Sequence, residues 1–326
     1  MTSCALLFPG QGSQEAGMGR ELAEARPEAM TLWKRAEAIS GLPLREIYWE
    51  GDAAAMSDTR ALQPALTVVN INLWRELAGK VRPCAAAGHS LGEFSALAAA
   101  EVLDPETVLQ IVSLRGRLMA EADPDGTGST LCPMVDSTGS MAAILKMKQE
   151  DVEALAREAA VEADALLIVA NYNTPAQFVV SGHRDAVALA CQKAKEHRGR
   201  AIELKVSGAF HSPMMEKASR ELEPLLRKAV WRKPQFPVYC NLHGRAVTDG
   251  ESAKESLLKQ MTSSVLWIET VRNQYADGVR RWVEVGPKAV LGKMVPACLN
   301  HLDEAARQEL RVELVNSLES VENFSA

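Results

Sequence analysis

Ala85-Ala86-Ala87-Gly88-His89-Ser90-Leu91-Gly92-Glu93 is a short apolar strand running straight into Gly-x-Ser-x-Gly, and the Ala-rich residues 94–100 continue it as a helix. Strand, sharp turn and helix in that order expose a serine hydroxyl at the strand's exit. The flanking glycines let the backbone bend there without Cβ clashes. The turn also sets Ser90 at a helix N-terminus, where free N–H groups and the helix dipole favour a developing oxyanion. A serine so placed can be a plain N-cap. The strand before it and the helix after it make it a candidate nucleophile.

Outward from this turn the chain alternates strands and helices. Residues 4–8 form an apolar run that stops at Pro9-Gly10-Gln11-Gly12-Ser13-Gln14, a buried strand opening into a Gly-rich loop. Helical periodicity covers residues 27–40 and 60–79. Asp104-Pro105 supplies an N-cap and a first-turn proline for a helix that carries Arg115 and ends near Ala122. Residues 123–140, rich in Gly, Ser, Thr, Asp and Pro, have no period and predict a long loop. Strands are then predicted at 141–147, 166–171, 176–181 and 201–206, with a turn at 171–175 and helices at 149–160 and 183–197. The order β-α-β-β-α-β is that of a ferredoxin-like unit. Further strands at 237–240, 282–285 and 312–315 complete an α/β pattern with a mostly parallel sheet. The expected organisation is a core of residues 1–138 and 207–326 with 139–206 inserted.

Composition narrows the function. The 326 residues are 47% hydrophobic and 24% charged, near the average for globular proteins. A net charge of −6 argues against nucleic acid as a partner. No apolar run is long enough to span a membrane, and the first ten residues lack the basic lead of a signal peptide. Six scattered cysteines without C-x-x-C spacing fit a reducing cytoplasm and give no metal cluster.

A serine nucleophile needs a neutral imidazole to take its proton. Of the six histidines, His89 adjoins Ser90 but should point away from it. His183 and His197 bound a charged helix, His243 lies in a polar turn, and His301 sits among polar residues. His211 follows the 201–206 strand and the bend Ser207-Gly208-Ala209-Phe210, then opens Ser212-Pro213. The exit of a parallel strand is where α/β sites collect, which favours His211 as base. No Asp or Glu stands out as a third triad member.

Four motifs in order, Pro9–Gln14, Gly88–Glu93, Arg115-Gly116-Arg117-Leu118-Met119 and Gly208-Ala209-Phe210-His211-Ser212, closely resemble the malonyl-CoA:acyl-carrier-protein transacylases of bacterial fatty-acid synthesis, relatives of polyketide synthase acyltransferase domains. The likeness continues through residues 171–177, Leu258-Lys259-Gln260 and Glu284-Val285-Gly286-Pro287, and so covers residues 5–299. It implies an α/β-hydrolase-like core with a ferredoxin-like insertion, and a Ser–His dyad whose His is oriented by backbone carbonyls. By match, Ser90 is the nucleophile, His211 the base, and the Gln11 and Leu91 N–H groups the oxyanion hole. Arg115, Gln63, Phe210, Gln260 and Asn173 form the substrate-binding set. Two departures stand out: the 123–140 link is expanded, and Ser263-Ser264-Val265-Leu266-Trp267 replaces a Pro-Val-polar-Trp run.

The resemblance further implies malonyl-CoA as substrate, no tightly bound cofactor, an acyl carrier protein as partner, and a monomer. A guanidinium grips a carboxylate through two parallel hydrogen bonds, and that free carboxylate is what distinguishes malonyl from acetyl. Phe210 matches the malonyl-selective form of the motif. An acidic carrier would need a basic patch; the candidates are Lys193, Lys195, Arg198 and Arg200, or Arg227, Lys228, Arg232 and Lys233. Alternatives are a malonyl acyltransferase of a polyketide pathway, a serine thioesterase or esterase, and a non-catalytic docking subunit.

Overall fold

Two sheets divide the chain. The structure, a computed structural model, describes residues 3–122, 139–206 and 208–324. Residues 123–138 of the expected loop, with Cys132, and Ser207 of the expected bend lie outside the described residues.

Strand β1 (Ser3–Phe8) leads to helices α1 (Arg20–Ala25), α2 (Pro27–Ser40), α3 (Leu44–Trp49) and α4 (Thr59–Leu77). Strand β2 (Arg82–Gly88), α5 (Gly92–Ala99) and α6 (Pro105–Glu121) follow. The second sheet comes from the next segment: β3 (Gly139–Leu145), α7 (Gln149–Glu162), β4 (Leu167–Thr174), β5 (Gln177–His183), α8 (Arg184–Glu196) and β6 (Arg200–Glu203). The chain then returns through α9 (Glu216–Lys228), β7 (Val238–Tyr239), β8 (Ala246–Val247), α10 (Gly250–Gln260), α11 (Trp267–Ala276) and β9 (Arg281–Val285). It closes with α12 (Leu291–Cys298), α13 (Glu304–Gln308), β10 (Arg311–Val315) and α14 (Leu318–Glu322).

The first sheet has the order β10-β9-β1-β2-β7-β8, parallel except for the β7–β8 pair. Its central strand β1 is buried on both faces from Cys4 to Phe8, as the middle of a parallel sheet requires. Leu6 and Phe8 pack into one apolar cluster, while Ala5 and Leu7 pack into the other. The second sheet, β4-β5-β3-β6, is antiparallel throughout, and its order is that of a ferredoxin-like unit.

Several expected boundaries shift. Strand β3 opens at Gly139, inside the expected 123–140 loop, and ends at Leu145 rather than 147. Residues 171–174 are strand, not turn: Tyr172 pairs with Phe178 and Thr174 with Gln177, so the hairpin turns at Pro175-Ala176. The Tyr172 and Phe178 rings meet edge-on at 5.9 Å, a cross-strand contact that outweighs the poor strand preference of the asparagines. The expected 201–206 strand ends at Glu203.

Register positions the site. β1 and β2 run parallel with Phe8 beside Gly88. The Pro9–Gln14 loop and the Ser90 turn therefore leave the sheet side by side at its C-terminal edge, where open α/β sheets carry their sites.

Candidate active site

Ser90 holds φ 50°, left-handed backbone that a non-glycine residue rarely adopts. Tight surroundings enforce it. A Cβ on Gly88 would overlap the Gly92 carbonyl and Glu93 nitrogen, and one on Gly92 would overlap the Phe8 carbonyl oxygen. Asn241, just past β7, fastens the turn from outside. Its Oδ1 accepts the Ser90 N–H at 2.7 Å and its Nδ2 donates to the Gly88 carbonyl at 2.7 Å.

With the Ser90 N–H consumed, Leu91 offers the next amide at the helix start. The Gly-rich loop brings a second. Asn70 Nδ2 donates to the Pro9 carbonyl at 3.2 Å, and Ser13 Oγ closes back on the Gly10 carbonyl at 2.8 Å. A Cβ on Gly10 would overlap the His89 carbonyl oxygen and lie 3.5 Å from Leu91 N, so the two backbones touch. Among the described residues, neither the Gln11 nor the Leu91 amide donates to another group. Both residues line a cavity of about 110 Å³ beside Ser90.

His211 reaches Ser90 from the far side, with Nε2 2.6 Å from Ser90 Oγ. Its Nδ1 stands 3.1 Å from two backbone carbonyls, those of Gln260 and Ser263. Carbonyls only accept, so Nδ1 carries the proton and Nε2 presents its lone pair to the hydroxyl. Burial first, then the Arg115 charge, holds the imidazole down to about 3, and hence neutral. His211 does not follow a parallel strand as expected. The preceding strand, β6, pairs antiparallel with β3 in the second sheet, so His211 is not at the exit of a parallel strand. It sits in the return crossing, in left-handed backbone at φ 59°, pinned where Ser181 Oγ donates to the Phe210 carbonyl at 2.7 Å.

Arg115 lies on α6, 1% exposed. Its Nη1 donates to Gln63 Oε1 at 2.9 Å, and its Nη2 to Gln260 Oε1 at 3.2 Å and Ser90 Oγ at 3.3 Å. Among the described residues, Nε is buried without a hydrogen-bond partner, and the guanidinium rests 5.6 Å from the Phe94 ring centroid. Burial lowers even this guanidinium to about 10, with Glu93 opposing the shift. A cation so desolvated and incompletely paired is primed for an anion.

The other expected residues divide. Gln63 and Phe210 line the cavity. Gln260 does not, and instead ties Arg115 to the turn, donating to the Ser90 carbonyl at 3.0 Å. Asn173 stands behind the site, its Oδ1 2.8 Å from His89 Nε2. Glu93 and Asn241 are additions that sequence reasoning missed. Glu93 carried one signal, a carboxylate inside an otherwise apolar helix; Asn241 carried none. In the Ser263–Trp267 departure, Val265 pairs with β4 through the Ala170 and Tyr172 backbones, and the Ser263 carbonyl keeps its place on His211.

A larger cleft of about 580 Å³ lies at the opposite end of the parallel sheet, by Ser3, Cys84 and Arg311. Among its described lining residues there is no histidine, whereas the Ser90–His211 pair lines the smaller cavity. Of the basic clusters, Lys193 is bound to Glu162, and Arg227 to Glu223 and Glu255, whereas Arg198 and Arg200 are exposed on the turn into β6.

A family model described as an acyl transferase domain matches residues 5–319. The malonyl CoA-acyl carrier protein transacylase of Bacillus subtilis (strain 168) is 37% identical over 297 residues, 90% of either chain. The crystal structure of malonyl-CoA:acyl carrier protein transacylase from Xanthomonas oryzae pv. oryzae matches with a TM-score of 0.87 at 29% identity, covering 100% of this chain and 99% of that one. A malonyl-transacylase solved in complex with its type II PKS acyl-carrier protein gives 0.87 at 32% identity over 98% of both chains. This chain belongs to the acyl transferase domain family, among the malonyl CoA-acyl carrier protein transacylases.

Proposed function

We propose that the chain transfers a malonyl group from malonyl-CoA to the phosphopantetheine thiol of an acyl carrier protein, through a malonyl-Ser90 intermediate that supplies fatty-acid synthesis. His211 Nε2 takes the Ser90 proton as Oγ bonds to the thioester carbon. The Gln11 and Leu91 amides receive the oxyanion; losing one such donor typically costs about 100- to 1000-fold in rate. The C–S bond then breaks, and coenzyme A leaves with the proton from His211. The carrier thiol then repeats the sequence in reverse: it gives its proton to His211 as its sulfur bonds to the ester carbon, and the Ser90–acyl bond breaks as His211 returns that proton to Ser90 Oγ. Free thiols at Cys4, Cys84, Cys191, Cys240 and Cys298 fit a reducing, cytoplasmic setting.

The observation that carries this reading is the buried Arg115 guanidinium facing Ser90 Oγ. An acyl group on Ser90 with a terminal carboxylate pairs with it, whereas an acetyl group offers it no carboxylate. A general esterase has no use for such a cation. The small cavity also suits a short acyl group, well below the ~300–1,000 Å³ of pockets that enclose drug-sized ligands. Arg115→Ala should lose about 1.5–3 kcal/mol of malonyl transition-state binding, a roughly 10- to 150-fold fall in kcat/KM, while acetyl-CoA turnover holds or rises. Equal losses for malonyl- and acetyl-CoA would refute the selector role.

A further inference from the structure

Glu93 is a carboxylate at the centre of the site, 1% exposed, on a helix whose neighbouring side chains are apolar or small. Its Oε2 accepts from Gln260 Nε2 at 2.8 Å and from the Asn241 N–H at 3.3 Å. A carboxylate only accepts, and so does the Ser90 carbonyl that shares Gln260 Nε2. The amide polarity is therefore fixed, with Gln260 Oε1 turned toward Arg115. One side-chain amide joins the buried anion to the buried cation.

On the malonyl-serine reading above, we infer that Glu93 balances the Arg115 charge while the acyl pocket is empty, and takes a proton from solvent when a malonyl carboxylate reaches the guanidinium. The empty site holds one cation and one anion. The malonyl-enzyme would hold two anions around the same cation, out of water, and two buried carboxylates sharing one counter-charge do not both stay ionised. Protonating Glu93 removes the excess and leaves Arg115 to the substrate.

Among the described residues, the other ionisable groups of the site keep one charge state near neutral pH. Arg115, from α6, stays charged. Burial pushes the Cys240 thiol, at the end of β7, well up, so it remains an S–H donor to Glu93. The two histidines of the site, His211 from the return crossing and His89 from the turn, are both held below their ordinary value by burial, and stay neutral. Burial raises the Glu93 carboxyl itself to about 7, against the Gln260, Cys240 and Asn241 bonds and the Arg115 charge. Glu93 touches no substrate atom; it is a positioning and charge-balancing residue acting through Gln260.

The test counts protons. Wild-type enzyme is mixed with malonyl-CoA in weakly buffered solution, with an indicator dye reporting protons and intact mass reporting adduct. Uptake should approach about one proton per adduct near pH 8 and fall to little near pH 6, where Glu93 is already protonated. Glu93→Gln keeps an acceptor oxygen toward Gln260 but cannot titrate, so each adduct it forms should come without uptake at either pH. A merely structural Glu93 would change adduct yield, not protons per adduct. No uptake by the wild-type adduct near pH 8, or equal uptake by Glu93→Gln, overturns the inference. A wild-type enzyme that forms no malonyl adduct overturns the malonyl-serine reading itself, and this inference with it.

Discussion

Two carbonyls at Nδ1 and one hydroxyl at Nε2 leave His211 a single useful tautomer, without a carboxylate to orient it. The same burial that makes the imidazole a neutral acceptor also sets its response to acid. Its native value of about 3 lies below the ordinary 6.5. Between those limits the unfolded chain binds a proton that the native site refuses. The stabilising contribution is therefore complete above 6.5 and is lost as pH falls toward 3. A base held this way does not switch off at 6.5. Malonyl transfer should show no fall in kcat/KM from about pH 8 to 5, and an acid limb centred on 6.5 in the pH–rate profile would contradict the assigned state. At this scale the sequence was informative wherever chemistry was local. Ser90 and its glycines lie within five residues, 88–92, and Arg115 and His211 stand in short motifs. The partners that hold them do not: Asn241 bonds Ser90 across 151 positions and Gln260 across 170, and no local pattern announces such pairs.

At the scale of elements, the turn between β2 and α5 works because three backbones meet without side chains. Gly88 faces the Gly92 carbonyl, Gly92 faces Phe8, and Gly10 faces His89. Gly88→Ala should cost at least about 1–3 kcal/mol, since backbone rather than a flexible side chain must give way. Gly79→Ala, with nothing within 4 Å of the added methyl, should stay within about 0.5 kcal/mol of wild type. Thermal melts of the two variants check this, and equal stabilities would show that the turn has slack. Apolar runs located the parallel strands, and helical periodicity located the helices that cover them. These patterns misplaced ends where a specific contact wins: β4 runs on through Thr174 because Tyr172 packs on Phe178.

Across the whole molecule, the site lies at the seam between the sheets. The parallel sheet supplies the Ser90 turn and the Gly-rich loop. The chain crossing back from the antiparallel sheet supplies His211, and residues 263–265 lie between, pairing with β4 through Val265 while the Ser263 carbonyl faces the imidazole. The order of strands and helices was legible from the sequence, because alternating elements with short connections admit few arrangements. The seam itself was not. The reasoning that picked His211 assumed a parallel strand before it, whereas long-range pairing puts β6 in the other sheet. The central claim, that Ser90 Oγ carries the acyl group in transit, is tested most directly by intact mass after mixing enzyme with malonyl-CoA and no carrier protein. The account predicts one malonyl adduct on wild type and none on Ser90→Ala. An adduct that survives in Ser90→Ala, or free malonate accumulating with no adduct, would contradict it.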